Sequence, residues 1–174
     1  DEGYEVVITV GFQLADDTYA MADANPDTLF IGVGQFFMEM PENYVGLQFR
    51  EDQAGFLAGA LAALVAEELD ADTVAGIYGL EIPPVIKFRN GYEQGALYIN
   101  PDINVLGAYH NSFNDAAAGA SAAQQFIGES AVVIFGSGGQ TGSGGILAAA
   151  QEGVFVIGVD QDEYYTTFGG GETP

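Results

Sequence analysis

No cysteine occurs among the 174 residues, which removes disulfides, thiolate zinc sites and a cysteine nucleophile, though it identifies no compartment. Bases are nearly as scarce: Arg50, Lys87 and Arg89 stand against 25 acids, for a formal net charge of −22. A field of that sign repels nucleic-acid backbones and anionic lipid surfaces, so neither is expected as a partner. The acids are scattered rather than spaced as ligands. That pattern fits a solvated surface, as a salty or acidic extracellular setting would favour, better than a cation site. His110 is the only histidine. Without a second His or Cys it makes a poor metal site, and no nucleophile is spaced to use it as a base. It is expected to be a polar residue with one satisfied nitrogen. No cofactor motif is legible. No apolar run reaches the roughly 18–20 residues of a membrane span. The best candidate, 54–65, is followed by acids and reads as a buried amphipathic helix. No signal peptide or lipidation site is visible, and because the chain opens almost at once on a strand, this says nothing about targeting.

What is present is a core-forming chain, 48% hydrophobic and 12% aromatic, which excludes disorder. Short β-branched or aromatic runs at 5–10, 28–33, 44–49, 73–78, 104–109, 131–135 and 154–159 predict strands. Helical windows lie between them at 14–24, 53–69, 84–98, 116–127 and 144–152. Pro84 suits a helix start and Pro101 forbids helical continuation. Near-continuous apolar strands alternating with helices predict a doubly wound α/β architecture with parallel sheets. A boundary is expected near Arg50, giving a partial amino-terminal lobe (1–49), a carboxy-terminal lobe (50–160) and a hinge-proximal tail (161–174). Three strands with one clear helix cannot cover both faces of a parallel sheet. Either another polypeptide is expected to complete the first lobe, or part of the natural protein is missing from it.

The stretch 83–115, PPVIKFRNGYEQGALYINPDINVLGAYHNSFND, sets a helix, an NPDI turn, a buried strand and a polar-aromatic loop in a row. It resembles the basic membrane lipoprotein family of ABC-transporter substrate-binding proteins, in which IP-x-I-x-x-F-x-x-G-Y-x-x-GA, NPDI and GSFND recur in order. Further blocks are similar to the same family: DEGYEVVITVGFQLAD at 1–16, QAGFLAGALAAL at 53–64, the glycine loop at 135–145 and VIGVDQ at 156–161. Several members bind purine nucleosides. The resemblance implies two lobes of the type I periplasmic-binding-protein fold, the first of them incomplete here, that bind a nucleoside-like solute between them without catalysis. It also implies a membrane permease as partner and an extracytoplasmic location, at the cell surface or in a periplasm, with a lipid anchor on the full-length protein. One departure stands out. Where the family usually reads I-I-D, this chain has Phe30-Ile31-Gly32-Val33-Gly34, glycine in place of a carboxylate.

The resemblance makes Phe113 half of an aromatic sandwich around a purine, its alternative being a loop aromatic folded into the core. Asn114 could join it. Asn114 and Asp115 could equally cap the helix beginning near Ala116. Asp16, at the exit of the first strand, could accept hydrogen bonds from ribose hydroxyls or serve as a helix N-terminal acid. Phe12 is a second candidate there, with core packing as its alternative. The run GSGGQTGSGG at 136–145 has no G-x-x-x-x-G-K-[ST] and no G-x-G-x-x-G register. It reads instead as a tight turn bringing Thr141, Gly142 and Ser143 to a sugar. Asp160 is a ligand or hinge candidate. Gly91 could let its helix approach the ligand, or relieve crowding. A receptor-like subunit of an extracellular assembly is the alternative function. An enzyme is disfavoured, because no base–nucleophile pair or metal-ligand set is legible.

Overall fold

The structure, a computed structural model, describes residues 3–172. It divides into two compact units, Asp1–Arg50 and Glu51–Pro174.

In the amino-terminal unit, β1 (Val6–Val10), β2 (Leu29–Val33) and β3 (Tyr44–Leu47) form a parallel sheet in the order β1-β2-β3. A 3-10 turn at Phe12–Leu14 leads into α1 (Ala15–Ala24). The pairings Ile8↔Ile31 and Ile31↔Val45 set the alternation of the whole sheet. Val7, Thr9, Phe30 and Tyr44 share the face covered by α1, with Phe30, Tyr44 and Ala22 forming its small core. The opposite face carries Val6, Ile8, Val10, Leu29, Ile31, Val33, Val45 and Leu47, and it lies open: Ile8 is 62% and Val10 69% exposed. Parallel sheets are ordinarily covered on both faces, so this surface is exceptional.

The carboxy-terminal unit holds β4 (Thr73–Tyr78), β5 (Asn104–Tyr109), β6 (Val133–Ser137) and β7 (Phe155–Ile157), all parallel, in the order β5-β4-β6-β7. Every residue of β4 is buried, as expected of a central strand. On one face, Val74 and Tyr78 pack against α2 (Glu51–Glu68) and α3 (Pro83–Ile99). On the other, Ala75 and Ile77 pack against α4 (Ala116–Gly128) and α5 (Gly139–Gln151). This is the doubly wound α/β arrangement that the pattern predicts. A short α6 (Glu163–Thr166) follows β7.

Glycine spacing governs how the helices meet. Gly55 and Gly59 on α2, and Gly91 and Gly95 on α3, each recur at i, i+4 and so share one face of their helix. A Cβ on Gly59 would overlap the Tyr92 carbonyl oxygen, and one on Gly95 that of Phe56. Gly55 and Gly91 meet the carbonyls of Phe88 and Asp52 in the same way. The two backbones therefore touch directly, with no side chain between them. The close approach that Gly91 permits is to α2, and that space is filled by the chain itself rather than left for a solute. Lys87 and Arg89 pair with Glu51 (3.4 Å) and Glu93 (2.7 Å), as their scarcity in so acidic a chain suggests.

The one element that departs most from expectation is α5. Its helix begins at Gly139 rather than at 144, so most of the glycine-rich run is helix and not turn. Local propensity disfavours glycine in a helix by roughly 1 kcal/mol per residue, but packing reverses the preference here. Gly142 lies against the backbone of Gly136 on β6, and Gly144 against that of Ala116 on α4.

Candidate functional site

Because the four strands of the carboxy-terminal unit run parallel, the loops after β4, β5, β6 and β7 all leave the same edge. The chain passes from β4 to β5 on one side and then returns to β6 on the other. That makes β4/β6 the topological switch point, where open α/β sheets hold their ligands. Gly79 and Gly138 lie there. The Gly79 N–H donates to the Ser137 carbonyl at 3.1 Å. A Cβ on Gly138 would come within 2.7 Å of the Gly79 nitrogen. Gly139 has φ +56°, a left-handed conformation that glycine adopts without strain.

The Phe113 ring lies across this bare backbone. It packs on Gly79 so closely that a Cβ there would overlap it, and it borders the core cluster of Tyr78 and Phe135. Phe113 as a residue is half-buried. The loop that carries it is well tied. Asp115 accepts from the Ala118 N–H at 2.9 Å and caps α4, while the Asn114 N–H donates to Ser112 Oγ at 2.9 Å. Asn114 itself is exposed. The His110 N–H donates to the carbonyls of Tyr78 (3.0 Å) and Gly79 (3.1 Å). In its ring, Nε2 is buried with no hydrogen-bond partner.

Three residues expected to reach a sugar do something else. Thr141 is 0% exposed, and its hydroxyl donates to the Ser112 carbonyl (2.9 Å) and accepts from the Asp115 N–H (3.0 Å). Gly142 is buried against β6. Ser143 Oγ donates to the Glu163 carboxylate at 2.9 Å, and Thr167 adds a second, short hydrogen bond to that acid. Glu163 is 8% exposed. Sequence reading passed over it, as it passed over Gly79 and Gly138. Its only sequence signal was membership of an acidic run. The first-turn amides of α5 are also partly spoken for. The Thr141 N–H donates to the Phe113 carbonyl (3.3 Å) and that of Gly142 to the Gly138 carbonyl (3.3 Å). This leaves little of the bare amide cradle that a phosphate needs.

Asp160 follows β7 with φ +64°. It belongs to the lining of an apolar groove of about 490 Å³ that also includes Leu57, Phe88, Phe135, Ile157 and Val159. Desolvation, then the nearby charges of Glu51 and Glu163, push its carboxyl above the ordinary value of 3.8. The folded state therefore holds this proton more tightly than the unfolded chain does. Its contribution to stability is greatest below 3.8 and is lost as pH rises through the raised value. Asp160→Asn, which keeps a residue tolerant of positive φ, is expected to raise the melting temperature at pH 7 and to leave it nearly unchanged at pH 3. Thermal melts of the two proteins across that range provide the check. An equal shift at both pH values would assign the effect to packing.

In the amino-terminal unit, Phe12 is half-buried in its 3-10 turn, and Asp16 is exposed in the first turn of α1 beside Asp17. Both sit just past the carboxyl end of β1. The glycine that ends β2 has a structural reason: Gly34 has φ +72°. The next residue, Gln35, is 1% exposed and ties the three strands together. Its Nε2 donates to Thr9 Oγ1 (3.1 Å) and the Gly11 carbonyl (2.8 Å), while Oε1 accepts from the Tyr44 hydroxyl (2.6 Å). A groove of about 400 Å³ in this unit is lined by Val7, Thr9, Leu14, Met21 and Phe30, with few polar groups converging on it.

A family model described as "ABC transporter substrate-binding protein PnrA-like" matches residues 1–169. Basic membrane protein A2 of Borrelia garinii subsp. bavariensis is 34% identical over 169 residues, covering 95% of this chain and 49% of that protein. Basic membrane protein B of Borreliella burgdorferi is 33% identical over 168 residues, covering 94% and 48%. A lipoprotein of Pyrococcus abyssi is 33% identical over 142 residues, covering 79% and 35%. The chain thus spans about half the length of the curated relatives it matches. Among solved structures, an ABC transporter solute-binding protein from Aeropyrum pernix superposes with a TM-score of 0.80 at 25% identity, covering 93% of this chain and 48% of that one. One from Conexibacter woesei gives 0.69 at 24% identity, covering 90% and 51%, a likeness of fold.

Proposed function

The chain belongs to the PnrA-like family of ABC transporter substrate-binding proteins, and from that premise we propose that it is the solute-binding part of such a transporter, with a purine nucleoside as solute. The observation that carries the reading is Phe113, a half-buried residue whose ring packs on Gly79 at the β4/β6 switch point. An aromatic side chain at a strand-end switch point suits a flat heterocycle. Exposed Asn114 and the carboxylate of Asp160, on the same strand-end edge, supply polar partners for a ribose or base edge. Within the amino-terminal unit, Phe12 and Asp16 lie just past the carboxyl end of β1, and each is proposed as a solute-contacting residue of that unit. The role is binding without chemistry, and the partner is a membrane permease. An extracytoplasmic, lipid-anchored location agrees with relatives from Pyrococcus abyssi and Pyrococcus furiosus named as lipoproteins.

Denaturing the purified protein and identifying released small molecules by mass spectrometry tests the solute class. Calorimetric titration with adenosine, guanosine and inosine follows, with ribose alone as comparison. The reading expects at least one nucleoside to bind more tightly than ribose. Release of a base-free sugar, or no heat with any nucleoside at millimolar concentration, overturns it.

A second reading, a receptor-like subunit of an extracellular assembly, is favoured by the open apolar face of β1-β2-β3. A patch of that kind marks an interaction surface, and a second polypeptide could cover it. Sedimentation showing only monomer at every concentration removes this reading and leaves the first intact.

A further inference from the structure

Thr141 has no exposed surface, so a solute cannot touch it. Yet its hydroxyl and its N–H both bond to the short segment that carries Phe113. The hydroxyl donates to the Ser112 carbonyl (2.9 Å) and accepts from the Asp115 N–H (3.0 Å), and the Thr141 N–H donates to the Phe113 carbonyl (3.3 Å). One helical residue thus holds the backbone before, at and after the aromatic. A second contact fixes Thr141 itself, because Gly119 of α4 packs directly on its carbonyl oxygen. The anchor is therefore set between two helices.

We infer that Thr141 is a positioning residue, which holds segment 112–115 against the start of α5 and so keeps the Phe113 ring packed on Gly79 at the switch point. The inference rests on the reading of Phe113 as the stacking surface. The physical demand is for a group that donates and accepts at once, in a site too tight for water. A hydroxyl does both. Valine has nearly the same shape and does neither, while serine keeps the hydroxyl and loses a methyl group.

Two measurements test this, on the full chain. Hydrogen exchange of the Asp115 amide, followed by NMR without solute, reports the clamp directly. Thr141→Val is expected to accelerate it by on the order of tenfold, as the loss of one hydrogen bond implies, and Thr141→Ser to leave it near the wild-type rate. Titration with adenosine, guanosine and inosine then reports the ring. Thr141→Val is expected to weaken binding by roughly three- to tenfold, with Thr141→Ser restoring it. The same change in a Phe113→Ala background is expected to alter affinity by less than about twofold, because coupled residues are not additive. Unchanged Asp115 exchange in Thr141→Val overturns the inference, and so does an equal loss of affinity in both backgrounds. If no nucleoside binds the wild type, the proposed solute fails, and the exchange measurement alone decides for or against the clamp.

Discussion

Alanine at Gly59 is expected to destabilise the carboxy-terminal unit by about 3 kcal/mol, near the upper end of what overpacking a close-packed interior costs. The added Cβ would overlap the Tyr92 carbonyl oxygen and crowd the Tyr92 carbonyl carbon and the Ala96 nitrogen. These are backbone atoms, so no rotamer change relieves the clash. Only separation of α2 from α3 would, and that opens the contacts made by Ala62, Ala63 and Ala66 with the core. Gly128 provides the opposite case. It closes α4, and a Cβ there meets nothing within 4 Å. Gly128→Ala is therefore expected to stabilise by roughly 0.5 kcal/mol through the unfolded chain's lost freedom. Denaturant melts of the two variants should move in opposite directions. A Gly59→Ala protein as stable as the parent would mean that the helices do not meet backbone to backbone.

Phe113→Ala is expected to weaken the proposed purine nucleoside binding by ~1–3 kcal/mol, the range for stacking of a base on an aromatic side chain, or roughly 5- to 150-fold in affinity. The same substitution removes a half-buried ring from Gly79 and from the edge of the Tyr78 and Phe135 cluster, so some loss of stability accompanies it. Phe113→Leu separates the two effects. Leucine retains most of the apolar volume against Gly79 but presents no flat π face, so stability should recover while affinity does not. Phe113→Tyr should preserve both. Isothermal titration beside thermal melts resolves the pattern. Affinity that tracks melting temperature across the three variants would reduce Phe113 to a packing residue.

Much of this was legible in the sequence. The β-branched runs gave the strands to within two residues of most ends, and Pro84 marked the start of α3 to within one residue. Asp115 capped α4 as its chemistry predicted. The failures share a cause. At 136–145, local composition speaks for a turn, but the glycines are there because Gly136, Ala116 and Gly119 leave no room for side chains on α5. Thr141 and Ser143 look available in a glycine loop, whereas in a helix they point at Ser112 and Glu163, 29 and 20 residues away in sequence. Gln35 is a polar residue in a ten-residue connection, and nothing local marks it for burial. Its partners come from two other segments, Thr9 and Gly11 from β1 and its exit and Tyr44 from β3. Separations of this kind are set by topology, which a single sequence does not print.

The glycine faces of α2 and α3 also limit how the carboxy-terminal unit can deform. Two rods whose ridges are their own carbonyls cannot slip past one another by a fraction of a turn without colliding, and so they form a single stiff strut. The crossover between β4 and β5 is thereby braced along its length. Under any deformation this half of the sheet should travel as one piece, with its bending confined to the strand-end loops.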